Sequence, residues 1–567
     1  TDMQLNAALI TTSDTANGDV TIDNAGLLNI NSNMLLSGLF IQDSSADTGQ
    51  TSISGNIITV NNNITFDEAL TLTGDVRLDI GSGFLSQILF NNTVDDSTGI
   101  YKLTLDAGNS GSISFQDAVG SLTPLNALEI VSASQIDVVS TLSAGAGNIA
   151  MTGGIVNLNN AVSTIADGTL TITNSSVLTI ANTADLNLEG AFLQDGNGPV
   201  NLSGNITTTG DDITLERIVT LNDSVAVSTG GSGGNILFSN NVSGLSSYNQ
   251  DFTLTAGTGS IRFDGMVGDS TTSLGDLDIV SAAGGVTAES TIDVAFLSIN
   301  NGGIVSLNNT VSARDGLSSA GTFFTNSSNI STTNSNITIN HNQDVAIDGA
   351  LNSGTGIIDI DAGDELTILA NIITNNGNVF IDSDGPATIE SNGDITTNGG
   401  NVAFGEDKNG DLLISGDVET GGGSATFNVD TTLGRDLNIE TANGNIAFNE
   451  KLDAENVADQ GLYINPGTGN VHFYGPVGQT RMLGDLQIDG SDGGVDADSQ
   501  FKANSITIND GGSVTLNSAV VTQGTFRSSG TDFNMADGAL IDSGSSTIDI
   551  TADGNVTLGG LKTTSSS

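Results

Sequence analysis

The chain lacks several residue types, and each absence removes a class of protein. Its 567 residues include no cysteine and no tryptophan, so disulfides are impossible and stability must come from packing and backbone hydrogen bonds. Lys and Arg number only 12 against 65 Asp and Glu, a formal net charge of −53. Nucleic acids and anionic membranes are bound through clustered basic residues, so we expect neither as a partner. The absence of any run of about 18 apolar residues predicts no membrane insertion.

Short runs of alternating apolar and polar residues fill the chain. Examples are LTLTGDVRLDI at 70–80, TLTITNSSVLTI at 169–180 and STIDITADGNVTL at 546–558. Period-two alternation rich in Ile, Val, Leu and Thr is typical of half-buried β-strands. The Asn-Gly, Asp-Gly and Gly-Gly pairs between the runs tolerate the positive φ of tight turns. Hydrophobic residues make up 37 % of the chain and are concentrated in these runs. The sequence therefore predicts a folded, all-β protein rather than a disordered one.

A long block of sequence recurs three times. One of its elements reads SGSISFQDAVG at 110–120, TGSIRFDGMVG at 258–268 and TGNVHFYGPVG at 468–478. These copies begin 148 and 210 residues apart, and other elements of the block keep nearly the same offsets. The longer second offset equals about three additional short units, which is the kind of insertion that stacked repeat proteins tolerate.

Large apolar residues recur at a shorter spacing inside the long block. They are Phe66, Phe90 and Phe115, then Leu215, Phe238 and Phe263, then Phe380, Phe404, Phe427, Phe448 and Phe473. The last series has steps of 24, 23, 21 and 25 residues. Such a unit is long enough for one turn of a three-sided parallel β-helix, whereas a propeller blade needs about 40 residues and leucine-rich repeats need a helical segment. We therefore predict an all-β, right-handed parallel β-helix (β-solenoid) with coils of about 21–25 residues, in which the Phe series forms an inward ladder.

We expect one elongated solenoid over residues 1–567. Its long repeats cover about 40–190, 191–350 and 393–540, with additional coils at about 351–415. About 25 coils at a strand spacing of about 4.8 Å predict a rod of roughly 120 Å. The sequence at 546–564 resembles that at 356–374, which continues into another coil. We therefore expect either a segment of a larger chain or ends that dock onto something, such as copies of the same chain end to end.

The repeats resemble those of a known group of proteins. FTLTAG at 252–257, TGSIRFDGMVG at 258–268 and LGDLDIVSA at 274–282, with their two sister copies, are similar to repeats of large secreted bacterial surface proteins. The group is that of the filamentous haemagglutinins and autotransporter adhesins. The resemblance implies a β-helical shaft, filament or adhesin segment at the bacterial cell surface or outside the cell. It also implies a host or environmental surface or glycan as partner.

Parallel β-helices also include enzymes that cleave polysaccharides, which is the alternative function. Such sites need converging carboxylates, often with a basic residue and aromatic rings that stack on sugars. The adjacent acids Asp95-Asp96 and Asp211-Asp212 lie in turn-like sequence, and His341 and His472 occupy positions expected to face solvent. We therefore predict no catalytic residue. A carbohydrate-active or carbohydrate-binding solenoid would instead require an outward cluster of acids and aromatic residues in one groove, and the chain has only four tyrosines. A single concave patch of this kind would argue against a purely structural function.

Calcium is the one cofactor for which the sequence offers a candidate site. GEDKNGDLL at 405–413 places Asp407, Asn409 and Asp411 at the i, i+2, i+4 spacing of calcium loops. The sixth loop position lacks glycine, and Val418 stands where a bidentate glutamate is usual. DSDG at 382–385 is a shorter fragment of the same kind. Asn-x-Ser/Thr sequons, such as those at Asn63 and Asn205, leave glycosylation open.

Overall fold

The computed structural model describes residues 2–12, 18–43, 49–82 and 85–564. Every regular element in these ranges is a β-strand, and the ranges contain no helix, so none that could cross a membrane. The strands pair in parallel and stack into a β-solenoid of about 26 turns. The all-β solenoid prediction is therefore confirmed, whereas its right-handed sense stays a prediction. The chain divides into two compact units, Thr1–Val294 and Ala295–Ser567, here called unit 1 and unit 2.

Three strands make one turn, because most strands pair with the third strand after them. Met3–Leu5 pairs with Leu27–Ile30, which pairs in turn with Gln50–Ile53. Each turn therefore has three flat sides, and equivalent strands form one stack along each side. Alternate side chains of most strands point into the solenoid, where they meet their equivalents from neighbouring turns.

Unit 1 has three stacks, A, B and C. Stack A contains Met3–Leu5, Leu27–Ile30, Gln50–Ile53, Ala69–Leu72, Val94–Asp96, Leu142–Ala144, Val162–Thr164, Leu186–Leu188, Ile206–Thr208, Val225–Ser228, Phe252–Gly257 and Leu274–Ala282. Stack B contains Leu9–Ile10, Met34–Leu36, Ile57–Thr59, Val76–Asp79, Lys102–Asp106, Ala127–Ser132, Ile149–Gly153, Leu170–Asn174, Phe192–Gln194, Ile213–Leu215, Ile236–Phe238, Ser260–Phe263 and Gly285–Ala288. Stack C contains Val20–Asp23, Phe40–Asp43, Ile64–Phe66, Gln87–Phe90, Ser112–Phe115, Gln135–Val138, Ile155–Leu158, Leu178–Ile180, Val200–Leu202, Val219–Leu221 and Val242–Gly244.

Unit 2 has the corresponding stacks D, E and F. Stack D contains Ile330–Ser331, Leu351–Asn352, Ile372–Ile373, Ile395–Thr396, Val418–Glu419, Leu437–Glu440, Leu462–Asn465, Leu483–Asp489 and Ile548–Ala552. Stack E contains Ile337–His341, Ile358–Ala362, Val379–Ser383, Val402–Phe404, Ala425–Phe427, Ile446–Phe448, Asn470–Phe473, Gly494–Ala497 and Val556–Thr557. Stack F contains Val345–Ile347, Leu366–Ile368, Ala387–Ile389, Leu412–Ile414, Thr431–Leu433, Leu452–Ala454, Val520–Thr522, Leu540–Asp542 and Gly560–Lys562. The long strands Val311–Asn326, Phe501–Leu516 and Phe526–Met535 bend around more than one side, and the unit boundary falls inside Ile292–Leu307.

The core consists of apolar ladders, and phenylalanine forms the most regular ones. Phe66, Phe90 and Phe115 pair in register in stack C, and their ring centroids lie 5.7 and 5.0 Å apart. Two further ladders run from Leu215 through Phe238 to Phe263 in stack B and from Phe404 through Phe427 and Phe448 to Phe473 in stack E. These residues are buried, and the stacked rings add contact energy to the burial of apolar surface.

The prediction that Phe380 belongs to the inward Phe ladder is wrong. Phe380 is half-exposed and pairs with Ala403, while the next residue, Ile381, pairs with Phe404 and takes the inward position. The run Val379-Phe380-Ile381 is apolar throughout, so alternation cannot decide which face is inward. Spacing alone pointed to the residue one position too early.

Buried hydroxyls close the turns between stacks D and E. In six successive turns a Thr or Ser donates its side-chain hydrogen to the carbonyl three residues later. The donors are Thr332, Ser353, Thr374, Thr397, Thr420 and Thr441. The last five are fully buried, so the hydroxyl ladder satisfies polar groups that the core would otherwise leave unpaired.

Asn and Asp side chains connect neighbouring turns on the outside. The Asn378 Oδ1 accepts the Asn401 backbone N–H at 2.9 Å, and the Asn401 Oδ1 accepts the Ser424 N–H at 2.8 Å. The same arrangement runs from Asp394 to Asp417 and from Asp417 to Asn438, at 2.9 and 2.8 Å. Part of the acidic and amide content therefore binds backbone at the start of strands and is more than a solvated surface.

Candidate functional site

The calcium-like loop lies against the two turns that precede it. The Asp407 backbone N–H donates to Asp382 Oδ1 at 3.3 Å, so the loop meets the DSDG fragment. Lys408 Nζ donates to the Ala362 carbonyl at 2.8 Å and lies 3.5 Å from Asp384 Oδ2. Asn409 and Asp411 are exposed in the same loop.

Three carboxylates that lie close to one another belong to two strands that precede this loop. One oxygen from each of Asp359, Asp361 and Asp382 lies within 4.8 Å of the other two. The alternation in Ile358–Ala362 turns both of its acids outward, and Asp361 pairs in register with Asp382 on the next turn. Phe380 pairs with Asp359 in the same way, which places an outward ring beside that carboxylate. We call these three acids the acid cluster.

Burial disfavours charge in the acid cluster. It raises the pKa of Asp359 to about 6, with repulsion from Asp361 and Asp382 as the next causes. Burial also raises the pKa of Asp361, although Lys408 opposes the shift, and it raises the pKa of Asp382 against backbone N–H donors from Asp407 and Glu406. The cluster therefore favours a proton or a cation. Carboxylate oxygens are ligands that calcium takes. Calcium binding at Asp407, Asn409 and Asp411 stays a prediction.

The two histidines occupy different environments, and the expectation for His341 is wrong. Its side chain points inward and is 1 % exposed, with Nε2 3.0 Å from Ser319 Oγ and its ring 5.3 Å from that of Phe324. Burial lowers the pKa of His341 to about 4. The polar neighbours in INHNQ suggested an exposed strand end, but alternation from Ile337 and Ile339 continues through His341. His472 does lie outward, 3.0 Å from Asp498 Oδ2.

The adjacent acid pairs have structural partners. Asp211 and Asp212 lie in an exposed turn as expected, and Asp212 Oδ1 accepts the Asn235 N–H at 2.7 Å. The same expectation is wrong for Asp95 and Asp96, which belong to strand Val94–Asp96 and are buried. Asp95 accepts the Leu122 N–H at 2.8 Å, and Asp96 accepts the Tyr101 N–H at 2.6 Å. Buried carboxylates with backbone donors hold two loops together, a role that sequence spacing did not reveal.

A concave patch of acids with a tyrosine occurs on stack D of unit 2. This groove has a volume of about 580 Å³. It is lined by Asp417, Arg435, Asp436, Leu437, Asn438, Glu440, Asp459, Gly461, Leu462, Tyr463, Asp485 and Gln487. None of these residues was a candidate in the sequence. The alternation in LNIE, LYIN and LQID could have indicated them, because it turns Asn438, Tyr463 and Gln487 outward at positions that pair in register on successive turns.

Comparison of the chain with protein-family models, with curated proteins and with solved structures finds no match. The resemblance to bacterial surface proteins therefore depends on the repeat sequences and on the solenoid fold.

Proposed function

We propose that this chain is a structural and adhesive part of an extracellular bacterial surface protein, a shaft, filament subunit or adhesin segment. The observation that carries the proposal is the repetition of one stacking unit over about 26 turns. Inward ladders, turn-closing hydroxyls and outward Asn and Asp bonds recur from turn to turn, so successive turns support one another. Such a body presents a long acidic surface without needing disulfides.

Three of the groups that the sequence offered as catalytic candidates have structural roles, which supports a structural function over catalysis. His341 lies in the core, and Asp95 and Asp96 bind backbone N–H groups of neighbouring loops. We therefore propose that the chain is not an enzyme. The groove on stack D favours saccharide binding as the chemical basis of adhesion.

We also propose that copies of this chain associate with one another end to end. Strand edges that carry apolar side chains associate readily unless they are covered. A concentration series in light scattering tests this: mass that rises with concentration supports end contacts, and a constant monomer mass contradicts them.

Adhesion is tested with beads coated with the purified 567-residue chain and washed over glycan-coated surfaces and epithelial cell layers. Beads coated with polyaspartate at matched charge density are the control, because an acidic surface alone attracts counter-ions and basic proteins. Retention well above the control supports the adhesive function. Retention equal to the control on every surface contradicts it.

A further inference from the structure

We propose that the groove on stack D of unit 2 binds a neutral oligosaccharide. The proposal takes its biological meaning from the adhesive function proposed above, on which it rests. With a volume of about 580 Å³, the groove falls in the range of about 300–1,000 Å³ that is usual for ligand sites. It crosses neighbouring turns, so its length follows the stack and suits an extended chain of sugar rings.

Hydrogen bonds in the loops fix one wall of the groove, and a glycine there allows two turns to approach closely. Gly461 donates its N–H to Asp436 Oδ1 at 2.7 Å, and a Cβ at Gly461 would lie 2.8 Å from the Asp485 carbonyl oxygen. On the adjoining loop, Gln460 Oε1 accepts the Asn456 N–H at 2.7 Å, and the Ala458 N–H donates to the Met482 carbonyl at 2.7 Å. These bonds fix one wall before any ligand arrives, which lowers the entropy lost on binding.

The lining combines donors and acceptors, as a polyhydroxylated ligand requires. Arg435 Nη2 lies 3.0 Å from Asp417 Oδ2, Asn438 Nδ2 donates to Glu440 Oε1 at 3.0 Å, and Gln487 Nε2 donates to Asp489 Oδ2 at 2.6 Å. Arg435 also donates to the Ser415 carbonyl and lies 3.8 Å from Asp394 Oδ1, so several partners orient it. The amide groups of Asn438 and Gln487 keep further donor or acceptor capacity. A sugar hydroxyl both donates and accepts, so it can use both kinds of group.

Two features add to this polar lining. The Asn438 Oδ1 is closed to solvent and has no hydrogen-bond partner among the described residues, so a sugar hydroxyl could pair with it only after the side chain shifts. Tyr463 is half-buried in the groove, and burial together with the nearby Asp489 raises the pKa of its hydroxyl, which stays a donor at neutral pH. Its ring supplies an apolar surface for the C–H face of one pyranose.

The charge of the groove selects against anionic sugars. Five carboxylates line it, against the single Arg435, which is already paired with Asp417. A sialylated, uronate or sulfated saccharide would meet repulsion that a neutral one does not. A purely cationic ligand would pair with the carboxylates but would offer no hydrogen-bond acceptor to Arg435 or to the amide donors of Asn438 and Gln487.

The test is calorimetry on the full chain with a panel of probes. The neutral probes are oligosaccharides of glucose, galactose, mannose and N-acetylglucosamine; the comparison probes are sialyllactose, oligogalacturonate and spermine. We expect a neutral oligosaccharide to bind, and Tyr463→Ala and Gln487→Ala each to weaken it about tenfold. Tyr474→Ala is the matched control, because Tyr474 is 48 % exposed outside the groove lining, and it should leave the affinity unchanged. Thermal unfolding of each variant checks that the solenoid remains folded.

Three outcomes would overturn the groove proposal: no neutral probe binds, an anionic probe or spermine binds more tightly, or Tyr463→Ala and Tyr474→Ala have equal effects. The bead experiment separates this failure from that of the adhesive function. Beads that adhere although no saccharide binds the soluble chain would leave adhesion standing and remove the groove. Saccharide binding that needs Tyr463, with no bead adhesion, would keep the groove and remove the adhesive function.

Discussion

The inside and the outside of stack E respond to burial in opposite ways. His341 and Asp359 lie on strands of neighbouring turns that pair with each other. His341 occupies an inward position of its strand, and Asp359 occupies an outward position of the next strand. Burial lowers the pKa of His341 to about 4 and raises that of Asp359 to about 6. In both cases the charged form is disfavoured, so one physical cause gives opposite pH dependences. The comparison shows that an outward position on this solenoid does not guarantee a freely solvated charge.

The largest expected difference between inside and outside concerns two phenylalanines of the same stack. Phe427→Ala removes a ring between Phe404 and Phe448, whose centroids lie 4.8 and 4.5 Å away, and should destabilise unit 2 by about 3–5 kcal/mol. Phe380→Ala, in a half-exposed outward position, should cost about 1 kcal/mol. Urea unfolding of both variants measures this. Equal losses would show that the ladder is not the main source of cohesion.

The second effect is acid destabilisation through His341. Between the unfolded pKa of about 6.5 and the folded value of about 4, the unfolded chain binds a proton that the folded chain does not. Stability should therefore fall by about 3 kcal/mol as the pH drops through this window. Hydrogen exchange of strand Ile337–His341 at pH 7 and pH 4 measures the change. His341→Leu should remove this contribution and leave the opposite contribution of the acid cluster, and an unchanged slope in that variant would contradict the inward placement.

The third effect comes from the acid cluster, whose contribution to stability changes with pH in the direction opposite to that of His341. Folding raises the pKa of Asp359 to about 6, so between about 4 and 6 the folded chain holds more protons. Stability from this group is present below pH 4 and is lost as the pH rises through 6, by about 1–2 kcal/mol after screening is discounted. Asp359→Asn should stabilise the protein at pH 8 and have little effect at pH 4. Asp211→Asn, in an exposed turn, is the control and should change neither.

Calcium should produce the smallest effect. Millimolar calcium at pH 8 should raise the free energy of unfolding by about 1 kcal/mol if the ion joins the acid cluster. Asp382→Asn should remove the increase, and Asp411→Asn, which alters the exposed part of the loop, should leave most of it. If Asp411→Asn has the larger effect, the ion binds at the loop spacing seen in the sequence and not at the cluster.

The sequence was sufficient for what depends on period and alternation. Strand stacking, the length of the turns and most of the Phe ladder follow from apolar residues that recur every 21–25 positions. The turn-closing hydroxyls could also have been predicted from the sequence, because the pattern Thr-x-x-Gly recurs at Thr374, Thr397, Thr420 and Thr441. The spacing of apolar residues alone does not indicate them.

Features that depend on register between turns could not be predicted in the same way. The acid cluster requires Asp361 to lie beside Asp382, and the groove requires Asn438 beside Tyr463, pairs that are far apart in the chain. A shift of one residue in either strand would separate them. Phe380 and His341 show a similar limit within a single strand. In an all-apolar run, and in a run rich in polar residues, alternation of polarity does not indicate which side chains face inward.

Small-angle scattering of the purified chain tests the central proposal most directly, that repeated turns form a structural shaft. The single rod of roughly 120 Å that the repeat spacing of the sequence predicts would have a radius of gyration of about 36 Å. A compact globular protein of 567 residues would have a radius of gyration of about 24 Å. A value near 36 Å supports the shaft, and a value near 24 Å would contradict it.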